Sequence, residues 1–191
     1  ERVFLEARFE LDTLPSPLEP SEGIFRGLTN DNETLLGIVL DDGVFYILYT
    51  LPGDPSSLAG IFQGTSRTTG TSFTSTDARD FNFVELAILG ARVEAEVNPQ
   101  QMLEGSVIYN NGSRVGFSAS YDSDYQITPG LDVIAGTYGG AVTFALGSED
   151  AQLTIDRDGG VTGQGASSCR LTGTVLTRSS GNVYNITVTF G

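Results

Sequence analysis

The sequence predicts an all-β protein, an antiparallel barrel or sandwich built from two related β-units, and three observations predict it. Apolar and polar residues alternate with a period of two along most of the chain, while the 3.6-residue period of a helix is nearly absent. Short β-branched and aromatic runs recur about every 8–12 residues, separated by Gly, Asn and Asp turns. A Gly-x-aromatic-x-Gly pattern appears three times, at Gly23–Gly27, Gly60–Gly64 and Gly136–Gly140.

The elements follow in chain order. Val3 to Leu11 reads equally as strand or helix. Pro15, Pro17 and Pro20 then exclude any ladder or helix interior, because proline lacks the N–H and fixes φ, so Thr13 to Glu22 is a linker. Gly23–Leu28, Thr34–Leu40 and Gly43–Thr50 form a three-strand meander; Asn30–Glu33 and Asp41-Asp42-Gly43 are its turns, Gly and Asp tolerating the positive φ that tight turns require. Val84 to Val97 is the helix candidate. Gly90 interrupts it, and Arg92–Val97 alternates, so it is read as strand.

Three more hairpins are expected. Ser106–Tyr109 meets Arg114–Tyr121 across Asn110–Ser113, and Gln152–Ile155 meets Val161–Gly163 across Asp156–Gly160. Leu171–Leu176 meets Val183–Phe190 across Arg178–Asn182. Leu103–Val107 is similar to Leu171–Val175, which makes residues 59–121 and 135–190 two copies of one β-unit, read as halves that complete each other's core. Glycines inside strands are read as bulges or tight bends. The chain thus divides into an N-terminal segment and Pro-rich linker (1–22), a β-meander (23–58), a first repeated unit (59–134) and a second (135–191).

Composition narrows the chemistry. The 191 residues carry 24 Asp and Glu against 10 Arg, with no Lys, His or Trp, and a formal net charge of −14, of which −8 falls in residues 1–58. Without His there is no Ser-His-Asp or Cys-His pair and no imidazole metal cage; without Lys there is no Schiff base and no phosphate-loop lysine. Scattered arginines on so acidic a body exclude nucleic acid and disfavour anionic membranes. No apolar run approaches the ~20 residues of a membrane helix. The chain opens on Glu1 without an initiator Met and is read as following removed sequence.

Gly23–Gly27 through Tyr49, Ala59–Gly64 with Ala78-Arg79-Asp80-Phe81-Asn82, and Ser168-Cys169-Arg170-Leu171-Thr172-Gly173-Thr174-Val175 together resemble a family of Gly-rich, all-β predicted lipoproteins from Gram-negative proteobacteria, over about residues 22–191. The resemblance implies export, to the periplasm or attached to the outer membrane. It also implies membrane contact only through a lipid anchor upstream of this chain, and a disulfide from Cys169 to a Cys that this chain lacks. It implies no known chemistry. Phe25 departs from the pattern, where such proteins often carry Trp.

Candidate sites are few. Asp156 and Asp158, in Asp156–Gly160, resemble a calcium-loop fragment, but the positions that need an acceptor and a Glu hold Gly160 and Ser167, so a hairpin turn is preferred. Cys169 has only Arg170 beside it to favour a thiolate. The seven tyrosines lie mostly on alternating strands, as core and barrel rim or as an aromatic binding face. No catalytic residue and no cofactor are assigned. The leading function is a non-catalytic cell-envelope module that binds an envelope protein or serves as surface structure; it predicts few strongly shifted pKa values and an exposed apolar or aromatic patch. A small-ligand carrier predicts a lumen of ~300–1,000 Å³. A glycan-active enzyme using an Asp/Glu pair predicts a groove with one carboxyl of raised pKa.

Overall fold

The computed structural model describes residues 19–144, 147–167 and 169–190. Val3–Leu11 and most of the linker lie outside them. Nine strands come first: β1 (Gly23–Thr29), β2 (Thr34–Val39), β3 (Val44–Leu51), β4 (Asp54–Thr65), β5 (Arg67–Thr69), β6 (Ser72–Asn82), β7 (Ala87–Asn98), β8 (Met102–Tyr109) and β9 (Arg114–Asp122). Two short helices, a 3-10 turn (Ser123–Gln126) and α1 (Leu131–Ile134), lead to β10 (Gly136–Phe144), β11 (Gly147–Ile155), β12 (Gly160–Gly165), β13 (Arg170–Thr177) and β14 (Tyr184–Phe190). The meander and the three later hairpins stand where alternation and turn chemistry put them, and Ala87–Asn98 is strand. The two helices carry no sequence signal because four residues are too few to show a period.

The first nine strands form one antiparallel sheet that closes on itself. β1 pairs with β9 from Ile24↔Asp122 to Thr29↔Phe117. β4 pairs with β6 from Gly60↔Asn82 to Gln63↔Arg79, with β5 as a short spur on β6. The result is an eight-stranded barrel, a size whose interior side chains just fill. Phe25, Phe45, Phe73, Val93 and Val97, each at most 2% exposed, fill the half of the lumen nearest the second sheet. The void left beside them measures about 20 Å³. The meander and the first repeated unit therefore make a complete core together. The two repeated units lie in separate sheets and do not complete each other.

Glycines act differently from the expectation. Register shifts fall at Tyr49–Leu51 and between Ser75 and Ala78, not at glycines. Gly27 instead lets β1 and β9 approach: a Cβ there would strike the Ser118 carbonyl and the Ala119 backbone. The bulge at Thr76–Asp77 is held by the Asp77 carboxylate, which accepts from Thr65 N–H (3.0 Å) and Ser75 Oγ (2.9 Å). It reverses which residues of β6 face inward, from Phe73 and Ser75 before it to Ala78 and Asp80 after it.

The last five strands form an open antiparallel meander, β10-β11-β12-β13-β14. Ile155, Val161 and Val175 are buried on one face beneath Leu131 and Ile134. The opposite face carries Thr154, Thr162, Thr172, Thr174, Thr187 and Thr189, as alternation requires of a solvated side. The β13–β14 turn joins this sheet to the barrel. Val183 packs with Leu40 and Tyr125, and Tyr125 Oη donates to the buried Glu22 carboxylate at 2.6 Å, which also accepts from Ser180 Oγ. Arg178 pairs with Asp41 and Asp42. No helix among the described residues is long and apolar enough to cross a membrane.

Candidate functional site at the free end of the barrel

Four hairpin turns surround the barrel end remote from the second sheet: Asn30–Glu33, Pro52–Gly53, Phe83–Leu86 and Asn110–Ser113. Backbone hydrogen bonds stitch this rim together, from Gly53 N–H to Asn32 O (3.0 Å), Asn30 N–H to Gly116 O (2.9 Å), Phe83 N–H to Ala59 O (2.8 Å) and Asn110 N–H to Gly90 O (3.0 Å). Inside the rim lies a recess of about 100 Å³. Its walls are Leu35, Ile47, Phe62, Val107, Val115 and Phe117; its polar groups are Thr29, Glu33, Tyr49, Asn82 and Tyr109.

Asp80 lies behind the two tyrosines and is 0% exposed. Tyr49 Oη donates to its Oδ1 at 2.7 Å and Tyr109 Oη to its Oδ2 at 3.0 Å. Burial raises the Asp80 carboxyl above the usual range, against the lowering effect of the two tyrosine hydrogen bonds. Burial, with the Asp80 charge added, holds both tyrosines far above the ordinary phenol range, so they stay protonated. Glu33 is also raised, by burial first and then by the nearby negative charges of Asp31 and Asp80. Thr29 Oγ1 donates to Glu33 at 3.0 Å and accepts from the Glu33 N–H. Among the described residues no arginine pairs with Asp80 or Glu33.

Beside the recess the Phe83–Leu86 turn presents apolar side chains to water. Phe83 is 45% exposed, Val84 63%, Leu86 87% and the following Ile88 64%, with Leu58 of the adjoining β4 at 44%. Asn82 Oδ1 caps the turn by accepting from Val84 N–H (3.0 Å) and Glu85 N–H (2.8 Å). Leu86 adopts φ 53°, a left-handed conformation that costs a bulky L-residue roughly 1–2 kcal/mol.

The residues singled out from sequence lie elsewhere. Asp156 Oδ1 accepts from Asp158 N–H (2.9 Å) and Gly160 N–H (2.7 Å), which is a hairpin turn holding itself. No group of three or more His, Cys, Asp or Glu among the described residues is placed to hold a metal. Cys169 is a free, half-buried thiol just before β13. The tyrosines divide: Tyr49, Tyr109 and Tyr121 pack on the barrel core, Tyr125 on the junction, while Tyr138 is exposed. Asp80 carries no signal of its own in the sequence, and Val84–Leu86, read there as the start of a strand, instead form a turn with Phe83 that the Asn82 side chain caps. The bulge before Asp80 hides its inward orientation, whereas three apolar residues among the four of the turn Phe83–Leu86, interrupted by Glu85, are a legible signal.

The fold is that of a closed eight-stranded antiparallel β-barrel with a five-stranded antiparallel sheet docked on it. No family model, no curated protein and no solved structure matches this chain.

Proposed function

We propose that the protein is a non-catalytic interaction module of the cell envelope, and that the free end of its barrel docks on a partner protein. The observation that carries this reading is the apolar turn Phe83–Leu86 with Ile88 and Leu58, five large side chains held in water at one end of a rigid barrel. Exposed apolar surface concentrated in this way costs solubility unless something covers it. A left-handed Leu at the tip adds a local strain of the sort that accumulates at functional sites.

The other readings find less support. A recess of about 100 Å³ is well below the ~300–1,000 Å³ of a carrier lumen, because Phe25, Phe45 and Phe73 occupy the other half of the barrel. Raised carboxyls are what a glycan-active site would show, and the interaction reading expected few shifted groups. Asp80, however, is sealed behind Tyr49 and Tyr109, so of the two raised carboxyls only Glu33 reaches the recess, and a two-carboxylate mechanism needs both.

The test compares two immobilised proteins, wild type and the double variant Phe83→Ser, Leu86→Asn, exposed to solubilised envelope extract at physiological salt. A protein retained at near-equal stoichiometry by wild type and lost by the variant is the expected result. Equal retention by both, or retention by neither at concentrations that detect micromolar binding, overturns the reading.

A further inference from the structure

We infer that the recess at the free end of the barrel is a binding site for a primary alkylammonium group. The argument begins with where the protons are. Tyr49 and Tyr109 each have one hydroxyl hydrogen, and both are engaged by the buried Asp80 carboxylate. What the two hydroxyls turn toward the recess is therefore lone pairs, although a tyrosine in another setting would donate. Glu33 adds a carboxylate, an acceptor only, and the Thr29 hydroxyl hydrogen is already donated to it. Asn82 Oδ1 is taken up by the tip turn, which leaves its amide N–H groups as side-chain donors lining the recess.

Three acceptor groups, Glu33, Tyr49 and Tyr109, thus face one small space. An ammonium group has three N–H donors and no acceptor, so its inventory is the complement of theirs. Charge points the same way. Glu33 and Asp80 place two carboxylates at the barrel mouth, and the rim turns add Asp31 and Glu85, with Asp54 and Arg114 at the strand ends beside them. An ammonium held there neutralises charge that burial otherwise leaves uncompensated.

The walls specify the rest of the ligand. Leu35, Ile47, Val107 and Val115 suit a short alkyl stem, and Phe62 and Phe117 add aromatic walls. A recess of about 100 Å³ is space for a short chain and not for a sugar ring or a lipid tail. A divalent cation is a poorer fit, because calcium takes 6–8 oxygens and one carboxylate faces the recess. The ligand is an alkylammonium, supplied either as a free amine or as the lysine side chain of the partner proposed above; the second source rests on that proposal and the first does not.

The experiment is a titration followed by two-dimensional amide NMR, with n-butylammonium, n-butanol and calcium as probes. Expected are saturable shifts confined to Glu33, Tyr49, Asn82, Tyr109 and their neighbours, with a dissociation constant in the roughly millimolar range that a five-heavy-atom ligand allows. Butanol, with the same stem and no charge, is expected to bind at least about tenfold more weakly, and Glu33→Gln to weaken n-butylammonium by a similar factor while leaving the rest of the spectrum in place. Equal binding of butanol and n-butylammonium, no effect of Glu33→Gln, or shifts produced by calcium and not by the ammonium overturns the site. Nα-acetyl-lysine methylamide separates the sources: binding as tight as n-butylammonium supports the site with a lysine side chain as ligand, and exclusion of the peptide form alone supports it with a free amine. Because these titrations need no partner, loss of the docking proposal and loss of this site are distinguishable.

Discussion

The barrel and the open sheet are built from the same materials and reach different ends. Both are antiparallel meanders with one apolar and one polar side, and both contain a glycine at which neighbouring strands close up, Gly27 against Ser118 and Gly173 against Thr187. In the barrel every central strand finds two partners, β1 with β9 and β4 with β6 completing the ring, so the inward face is buried by its own sheet. In the open sheet β10 and β14 have one partner each. One part of its apolar face, at Ile155, Val161 and Val175, is covered by Leu131 and Ile134 of α1. Another part is a shallow trough of about 350 Å³ floored by Gly140, Ala151, Leu153, Leu171 and Val188. Closure, more than composition, decides how tightly an apolar face is packed.

The largest expected effect tests that difference directly. Phe45→Ala removes a fully buried ring from the closed lumen and is expected to cost about 3–5 kcal/mol. Val175→Ala in the open sheet, although 2% exposed at the start, is expected to cost about 1–1.5 kcal/mol because fewer atoms are removed and its neighbours are free to settle. Urea denaturation of the two variants measures both. A Val175→Ala loss as large as that of Phe45→Ala breaks the contrast between a closed and an open core.

Gly27→Ala and Gly173→Ala sharpen it. Each new methyl meets backbone, but the barrel cannot open without breaking its ring. We expect about 2–3 kcal/mol at Gly27 and about 1 kcal/mol at Gly173, read as shifts of the thermal midpoint of each purified variant.

A third test concerns the carboxylate that closure buries. Asp80 has a higher pKa in the folded protein than in the unfolded chain. Between the two values the folded state holds a proton that the unfolded state has lost, so stability is greatest below the unfolded value and falls as pH rises through the folded one. Glu33 acts in the same sense. Asp77 acts in the opposite sense, because the Thr65 N–H lowers it, and it is common to both proteins compared. Asp80→Asn is therefore expected to flatten the fall in urea midpoint from about pH 4 upward, and an unchanged slope would show that Asp80 does not set it.

The smallest effect lies at the exposed tip. Leu86→Gly removes the cost of a left-handed leucine, and is expected to raise stability by roughly 1 kcal/mol while weakening any partner captured by the barrel end. A drop in the thermal midpoint would mean that Leu86 packs against the rim.

Alternation and turn chemistry by themselves determined the class of this protein and most of its strands. A side chain's face in a strand follows from its neighbours two residues away, and the conformation of Asp41-Asp42-Gly43 or Asn110–Ser113 follows from four residues of local hydrogen bonding. Pairing Ile24 with Asp122 joins residues far apart in the chain, and no local pattern states which edge meets which; that ring closure was decided by tertiary structure. So was the recess. Asp80, Tyr49 and Tyr109 come from three strands, and Asp80 turns inward because the bulge at Thr76–Asp77, held from β4 by Thr65, reverses the parity that simple alternation from Phe73 assigns. A period of two carries information along a strand only until an inserted residue resets it, and where that insertion falls is fixed by contacts across the sheet.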